Sequence, residues 1–279
     1  MAGVHGGWLR EGVEHLYDLE YARVGDRAML LDLYFPESGA TPRPLIIWVH
    51  GGAFRTGDRR DGCVAARMAL RGYAVASVGY RLSHEALFPA QTHDCRAAVR
   101  WLRAHADDYG LDTDRFGAWG PSAGGHLVAM LGVAGGHDVL EGDEGVTGYS
   151  SRVQAVCDWF GPTDFSRMND YPGDMDHDAP DSPESELVGA PIQQRPDLVA
   201  RANPITYITG AEPPFLIVHG DHDPLVPHDQ SVRLYNALRS AGVEATLHTI
   251  AGAGHGTPEF YTSEITALVD AFFDRYLRS

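Results

Sequence analysis

The stretch WGPSAGGHL, Trp119 to Leu127, decides how this chain is read. It sets one serine between glycines, and Gly120 to Gly124 fits the pattern G-x-S-x-G. In a chain with 32 glycines such a pentapeptide also arises as an ordinary turn. Its surroundings separate the two readings. Arg115 to Trp119 reads as a short strand and His126 to Leu131 as a helix. A strand, a sharp turn and a helix are what a serine nucleophile of this kind requires. Small flanking residues let strand and helix approach each other while the hydroxyl projects outward. The helix N-terminus then lies beneath Ser122 and favours developing negative charge. Pro121 removes one backbone donor and biases Gly120 toward extended geometry.

Three further motifs lie outward from this one, each just after an apolar run. Leu45 to Val49 is followed by His50-Gly51-Gly52-Ala53-Phe54. Consecutive small residues leave amides free to point at one oxygen, and their place after an earlier strand suits half of an oxyanion hole. The expected donors are the amides of Gly52, Ala53 and Ala123, while His50 reads as a structural hydrogen-bonding residue. Phe215 to Val218 is followed by His219 to Pro227 (HGDHDPLVP). Asp221 and Asp223 both qualify by spacing as a carboxylate that orients an imidazole. Two aspartates and two histidines there also admit a metal, but no other cluster offers ligand spacing, so none is assigned. Ala245 to Ile250 is followed by Gly252-Ala253-Gly254-His255-Gly256, whose glycines give a loop able to carry His255 over a site. The order Ser, Asp, His, each after a strand, carries more weight than any one of the 14 histidines.

The continuously apolar runs suit parallel strands covered on both faces. Tyr73 to Val78 and Val153 to Phe160 read as further strands. Leu16 to Val24 and Met29 to Phe35 read as a pair joined by a Gly25-Asp26 turn. Apolar residues at three- and four-residue steps predict helices from Cys95 to Tyr109 and from Ile265 to Tyr276. Alternation of strands and helices predicts a mostly parallel central sheet with helices on both faces. Residues 164–206 break the rhythm, being rich in Pro, Asp and Ser. A connection of that length in one domain reads as a small inserted cap, including its acidic run Asp174 to Asp181 as a solvated face.

Composition bounds the rest. The 279 residues fit a single domain, 44% hydrophobic and 22% charged, as in ordinary globular proteins. A net charge of −16 argues against a nucleic-acid or anionic-membrane surface. Cys63, Cys95 and Cys157 are odd in number and far apart, so they read as small buried hydrophobes. The first residues show no basic segment followed by an apolar one, and no run is long enough to span a bilayer. The expectation is a cytoplasmic protein acting on a small molecule, with a homodimer left open.

With these motifs in place the chain resembles the α/β-hydrolase family, and within it the HGG-motif carboxylesterases. That branch holds hormone-sensitive-lipase-like enzymes and acetyl-xylan and feruloyl esterase-like enzymes. The matching pieces are HGGAF, GYRL, DCRAAVRWLRAHADDYGLD, GPSAGGHL, HGDHDPLVP and GAGHG, spread over nearly the whole chain. The resemblance implies Ser122 as nucleophile, His255 as general base and Asp223 as acid, with Asp221, His50 and Gly51 in support. Ala53 stands where many relatives carry glycine, and Pro121 where polar residues are common. The implied activity is hydrolysis of carboxylic esters through an acyl-enzyme, without metal or organic cofactor. A short insert with few large apolar residues points to short acyl chains, and acetylated or feruloylated carbohydrate esters fall within the branch. An arylformamidase on the same fold and a non-catalytic ligand-binding module are the alternatives.

Overall fold

A computed structural model describes residues 11–133, 137–171 and 173–278. The stretch before residue 11, read above for a leader, lies outside the described residues. Among the described residues eight strands form one sheet: β1 (Val13–Val24), β2 (Arg27–Pro36), β3 (Arg43–Val49), β4 (Ala74–Val78), β5 (Leu111–Pro121), β6 (Ala155–Trp159), β7 (Phe215–Gly220) and β8 (Ala245–Ile250). Their spatial order is β1-β2-β4-β3-β5-β6-β7-β8. β1 pairs antiparallel with β2 through the expected Gly25-Asp26 turn, with Val24 opposite Arg27. β2 is also antiparallel to β4, and all later pairings are parallel.

The apolar runs are continuous because both faces of the sheet are covered. Leu45, Ile47 and Val49 join one core, with Val99 and Leu102 of α1 (Ala90–Ala104). Ile46 and Trp48 point the other way, into a second core. That core is closed by the 3-10 segment Val64–Arg71 and by the C-terminal helix Ser263–Leu277, through Val269 and Phe273. Strand side chains alternate between faces, so a two-residue period serves two cores at once. The helix read from Cys95 to Tyr109 is broken at His105 into α1 and a short α2 (Ala106–Tyr109). The three cysteines are buried and unpaired.

α3 (Ala123–Val133) starts directly behind Ser122 and is buried along its length. A four-residue α4 (Asp138–Glu141) follows before β6. Residues 164–206 are less irregular than their composition suggests. They form α5 (Pro183–Val188), α6 (Pro196–Ala202) and three 3-10 turns, anchored by buried Phe165, Met168, Leu187, Ile192 and Val199. Ser182 caps α5 by accepting from Ser185 N. α7 (Asp229–Ser240) follows β7, with Leu234 and Leu238 buried, and the C-terminal helix is α8.

Candidate active site

Ser122 sits between the last residue of β5 and the first of α3 with φ 56, in the left-handed region that costs an L-residue energy. Its amide donates to Trp159 O at 2.8 Å and its carbonyl accepts from His126 N at 3.0 Å, which fixes the turn between β6 and α3. The glycines of the motif answer to close approach. A Cβ on Gly120 would lie 2.6 Å from Gly124 O, and one on Gly124 would collide with the carbonyl of Val49. Three other non-glycine residues with positive φ lie around the same site: Ala53, Phe54 and Phe160. Strain of this kind persists where the surroundings over-determine the backbone, and it gathers at functional sites.

The structure brings Ser122, His255 and Asp223 together. His255 Nε2 lies 3.0 Å from Ser122 Oγ, and His255 Nδ1 lies 2.7 Å from Asp223 Oδ2. A carboxylate can only accept, so Nδ1 carries the proton and Nε2 is left to accept from the hydroxyl. Phe160 packs edge-on to the His255 ring, with centroids 4.6 Å apart. Asp223 Oδ1 accepts from the amides of Leu225 and Val226, both at 2.9 Å. Its Oδ2 also lies 3.2 Å from His219 Nε2. Burial alone would raise the Asp223 pKa, but hydrogen bonds from His219 and His255 outweigh it and hold the carboxyl well below the usual range. Asp223 is therefore an anion beside the imidazole.

Asp221 goes elsewhere: its Oδ1 accepts from Gly252 N at 2.6 Å, tying down the loop that carries His255. The mixed Asp and His set of this segment is thus divided between separate tasks. Among the described residues no group of three or more His, Cys, Asp or Glu is placed to hold a metal ion.

The amides of Gly52 and Ala53 donate no hydrogen bond among the described residues. Ala123 opens α3, where first-turn amides lack intrahelical acceptors. All three border one cavity together with Ser122 and His255. Free donors beside a nucleophile suit a developing oxyanion. Gly52 carries φ 116, and Ala53 follows at φ 54. His50 lies behind this loop: its Nδ1 donates to Gly51 O at 2.7 Å and its ring stacks on Tyr80 at 4.3 Å. Tyr80 OH donates in turn to His50 O at 3.0 Å. Burial lowers the His50 pKa, so it supports the loop as a neutral ring.

The cavity holds about 490 Å³. Its floor is the nucleophile turn and its far wall comes from residues 164–206, through Met175, His177, Pro183 and Glu184. Pro121 lines it too, as a plain apolar surface beside Ser122. Three groups around the site were not singled out from the sequence. His219 is fully buried, with Nδ1 2.7 Å from Ser231 Oγ and Nε2 3.0 Å from Val226 O. His177 and Glu184, in a segment without pattern, form a buried pair at 3.0 Å. His219 stood within a quoted motif, whereas no sequence signal marked the other two.

A family profile described as BD-FAE matches residues 31–238. The chain is 31% identical to Esterase LipC of Mycobacterium tuberculosis over 83% of its own length, and spans 57% of that protein. It thus covers little more than half of the curated relatives it matches. Among solved structures it superposes on a truncated carbohydrate esterase from gut microbiota with a TM-score of 0.86 and 33% identity. That match covers 95% of this chain and 97% of the other. An esterase of Thermogutta terrifontis, Est2 with propionate bound, matches with a TM-score of 0.75 and 25% identity, over 96% and 97% of the two chains.

Proposed function

Because the chain belongs to the BD-FAE family and has the α/β-hydrolase fold, we propose that it is a serine hydrolase of carboxylic esters. The observation that carries this reading is the unbroken path Ser122–His255–Asp223, at 3.0 and 2.7 Å, opening on a cavity edged by unpaired amides. His255 Nε2 takes the hydroxyl proton as Ser122 Oγ attacks the ester carbonyl. The amides of Gly52, Ala53 and Ala123 hold the resulting oxyanion. The tetrahedral intermediate collapses, the C–O bond to the alcohol breaks, and the leaving oxygen takes the proton from His255. Water, deprotonated by the same ring, then releases the acid and restores Ser122.

Residues 164–206 serve as a small cap over this cavity. Short acyl groups suit it, since about 490 Å³ must hold both halves of the ester. The propionate bound to the Thermogutta esterase supports the same size class, and the carbohydrate esterase supports a sugar as the alcohol half. Three unpaired buried cysteines support a cytoplasmic location. No helix among the described residues is long and apolar enough to cross a membrane.

Parallel assays on p-nitrophenyl acetate and N-formylkynurenine test the reaction class. Ester turnover well above formamide turnover is expected, and the reverse would move the chain to the arylformamidases. Within the ester series, faster hydrolysis of C12 than of C4 chains would overturn the short-acyl reading.

A further inference from the structure

We propose that His177 is a positioning residue for Asp223, linked to it through the peptide group between Leu225 and Val226. The inference rests on reading Asp223 as the acid of an ester-hydrolysing triad. His177 Nε2 lies 2.9 Å from Leu225 O, and Val226 N donates to Asp223 Oδ1 at 2.9 Å. That oxygen and that amide belong to one peptide unit. A donor on the carbonyl polarises the unit and strengthens its N–H, as in any chain of hydrogen bonds. On the far side of the ring, His177 Nδ1 lies 3.0 Å from Glu184 Oε2. Glu184, His177, one peptide group, Asp223, His255 and Ser122 thus form a continuous series.

The protonation pattern follows from the partners. Leu225 O can only accept, so Nε2 carries a proton, and Nδ1 faces a carboxylate. A ring protonated on both nitrogens satisfies both. Burial opposes that charge, but the hydrogen bond and charge of Glu184, then the Leu225 carbonyl and Asp176, raise the His177 pKa above its ordinary value.

The pair is also costly to keep. Both residues are under 5% exposed, and two apolar side chains would close the same wall with less desolvation. A second tie shows what the pair is arranged around. Asp174 N donates to Pro224 O at 2.8 Å, so the insert grips two successive carbonyls of the loop that carries Asp223. The His177 amide is fixed in turn by Asn169 Oδ1 at 3.0 Å. The segment 164–206 therefore sets the geometry of the acid as well as roofing the cavity.

The test uses the intact chain. His177→Leu should lower kcat for p-nitrophenyl acetate about tenfold or more, with KM within about threefold. His177→Gln, which keeps one N–H donor for Leu225 O, should recover part of the loss. The low-field proton NMR signal of His255 Nδ1, read in the substrate-free protein, should shift in His177→Leu. Glu184→Gln leaves His177 in place and should move kcat and that proton the same way, to a smaller degree; it carries the test if His177→Leu does not fold. A rise in KM alone, or an unmoved His255 proton in a folded variant, overturns the proposal. Because the proton is read without substrate, failure of the link and failure of the ester reading are told apart.

Discussion

Asp223 Oδ2 lies 2.7 Å from His255 Nδ1, whereas the carboxylate of Asp221, two residues earlier, turns to the amide of Gly252. Spacing left the two equivalent; direction distinguishes them. Asp223→Asn should lower kcat by about 10⁴, because an amide at this position no longer enforces the productive tautomer. Asp221→Asn should stay within about tenfold of the parent, since an amide oxygen still accepts from Gly252. Steady-state kinetics on p-nitrophenyl acetate check both, and the opposite ranking would exchange their roles.

Neighbouring residues of the oxyanion loop should respond differently to a single methyl group. A Cβ on Gly52 would run into the carbonyl of Thr56, and φ 116 disfavours any L-side chain there. Gly52→Ala should therefore displace an amide donor and cost about 10²- to 10³-fold in kcat. Ala53→Gly keeps its N–H and relieves a left-handed alanine that costs roughly 1 kcal/mol. It should leave kcat within about threefold and the melting temperature no lower. A larger kcat loss in Ala53→Gly than in Gly52→Ala would remove these amides from the mechanism.

Asp158, at the end of β6 beside the nucleophile turn, should make stability depend on pH. It is fully buried; its Oδ1 accepts from Gly161 N at 2.9 Å, while its Oδ2 has no partner among the described residues. Burial raises its pKa from 3.8 to about 7, only partly offset by the Gly161 bond. A folded-state pKa above the unfolded value means stability present below about pH 4 and lost as pH rises toward 7. At roughly 1.4 kcal/mol per unit, the ionised side chain costs a few kcal/mol above neutrality. Asp158→Asn should raise the melting temperature by roughly 5 °C or more at about pH 8. The gain should fade toward pH 4, and an equal gain at both pH values would refute the linkage.

Much of the fold could be read because its constraints are local. Leu45 to Val49 announces a strand covered on both faces, and the collisions awaiting a Cβ at Gly120 or Gly124 explain why the Ser122 motif is so recognisable. His255 stood out because it follows a strand in a fixed order along the chain, whereas that placement offered Asp221 and Asp223 alike and only the family resemblance chose Asp223. Distance hid the rest. His177 lies 48 residues before Leu225, the residue whose carbonyl it holds. Its segment is built of helices too short to show a period. α7 went unread because its buried face is half polar, Gln230 and Ser231 lying with Leu234 and Leu238. The break at His105, between α1 and α2, lies inside one uninterrupted apolar rhythm that spacing alone joins.

The central claim is that Ser122 carries the acyl group. Rapid-quench mass spectrometry during turnover of p-nitrophenyl acetate tests it most directly. An acetyl group should appear on the peptide containing Ser122 within the first turnover and decay as substrate is exhausted. Ser122→Ala should show neither the adduct nor turnover, while its circular dichroism matches the parent. Turnover that persists in Ser122→Ala, or an acetyl group that accumulates on another residue, would contradict the account.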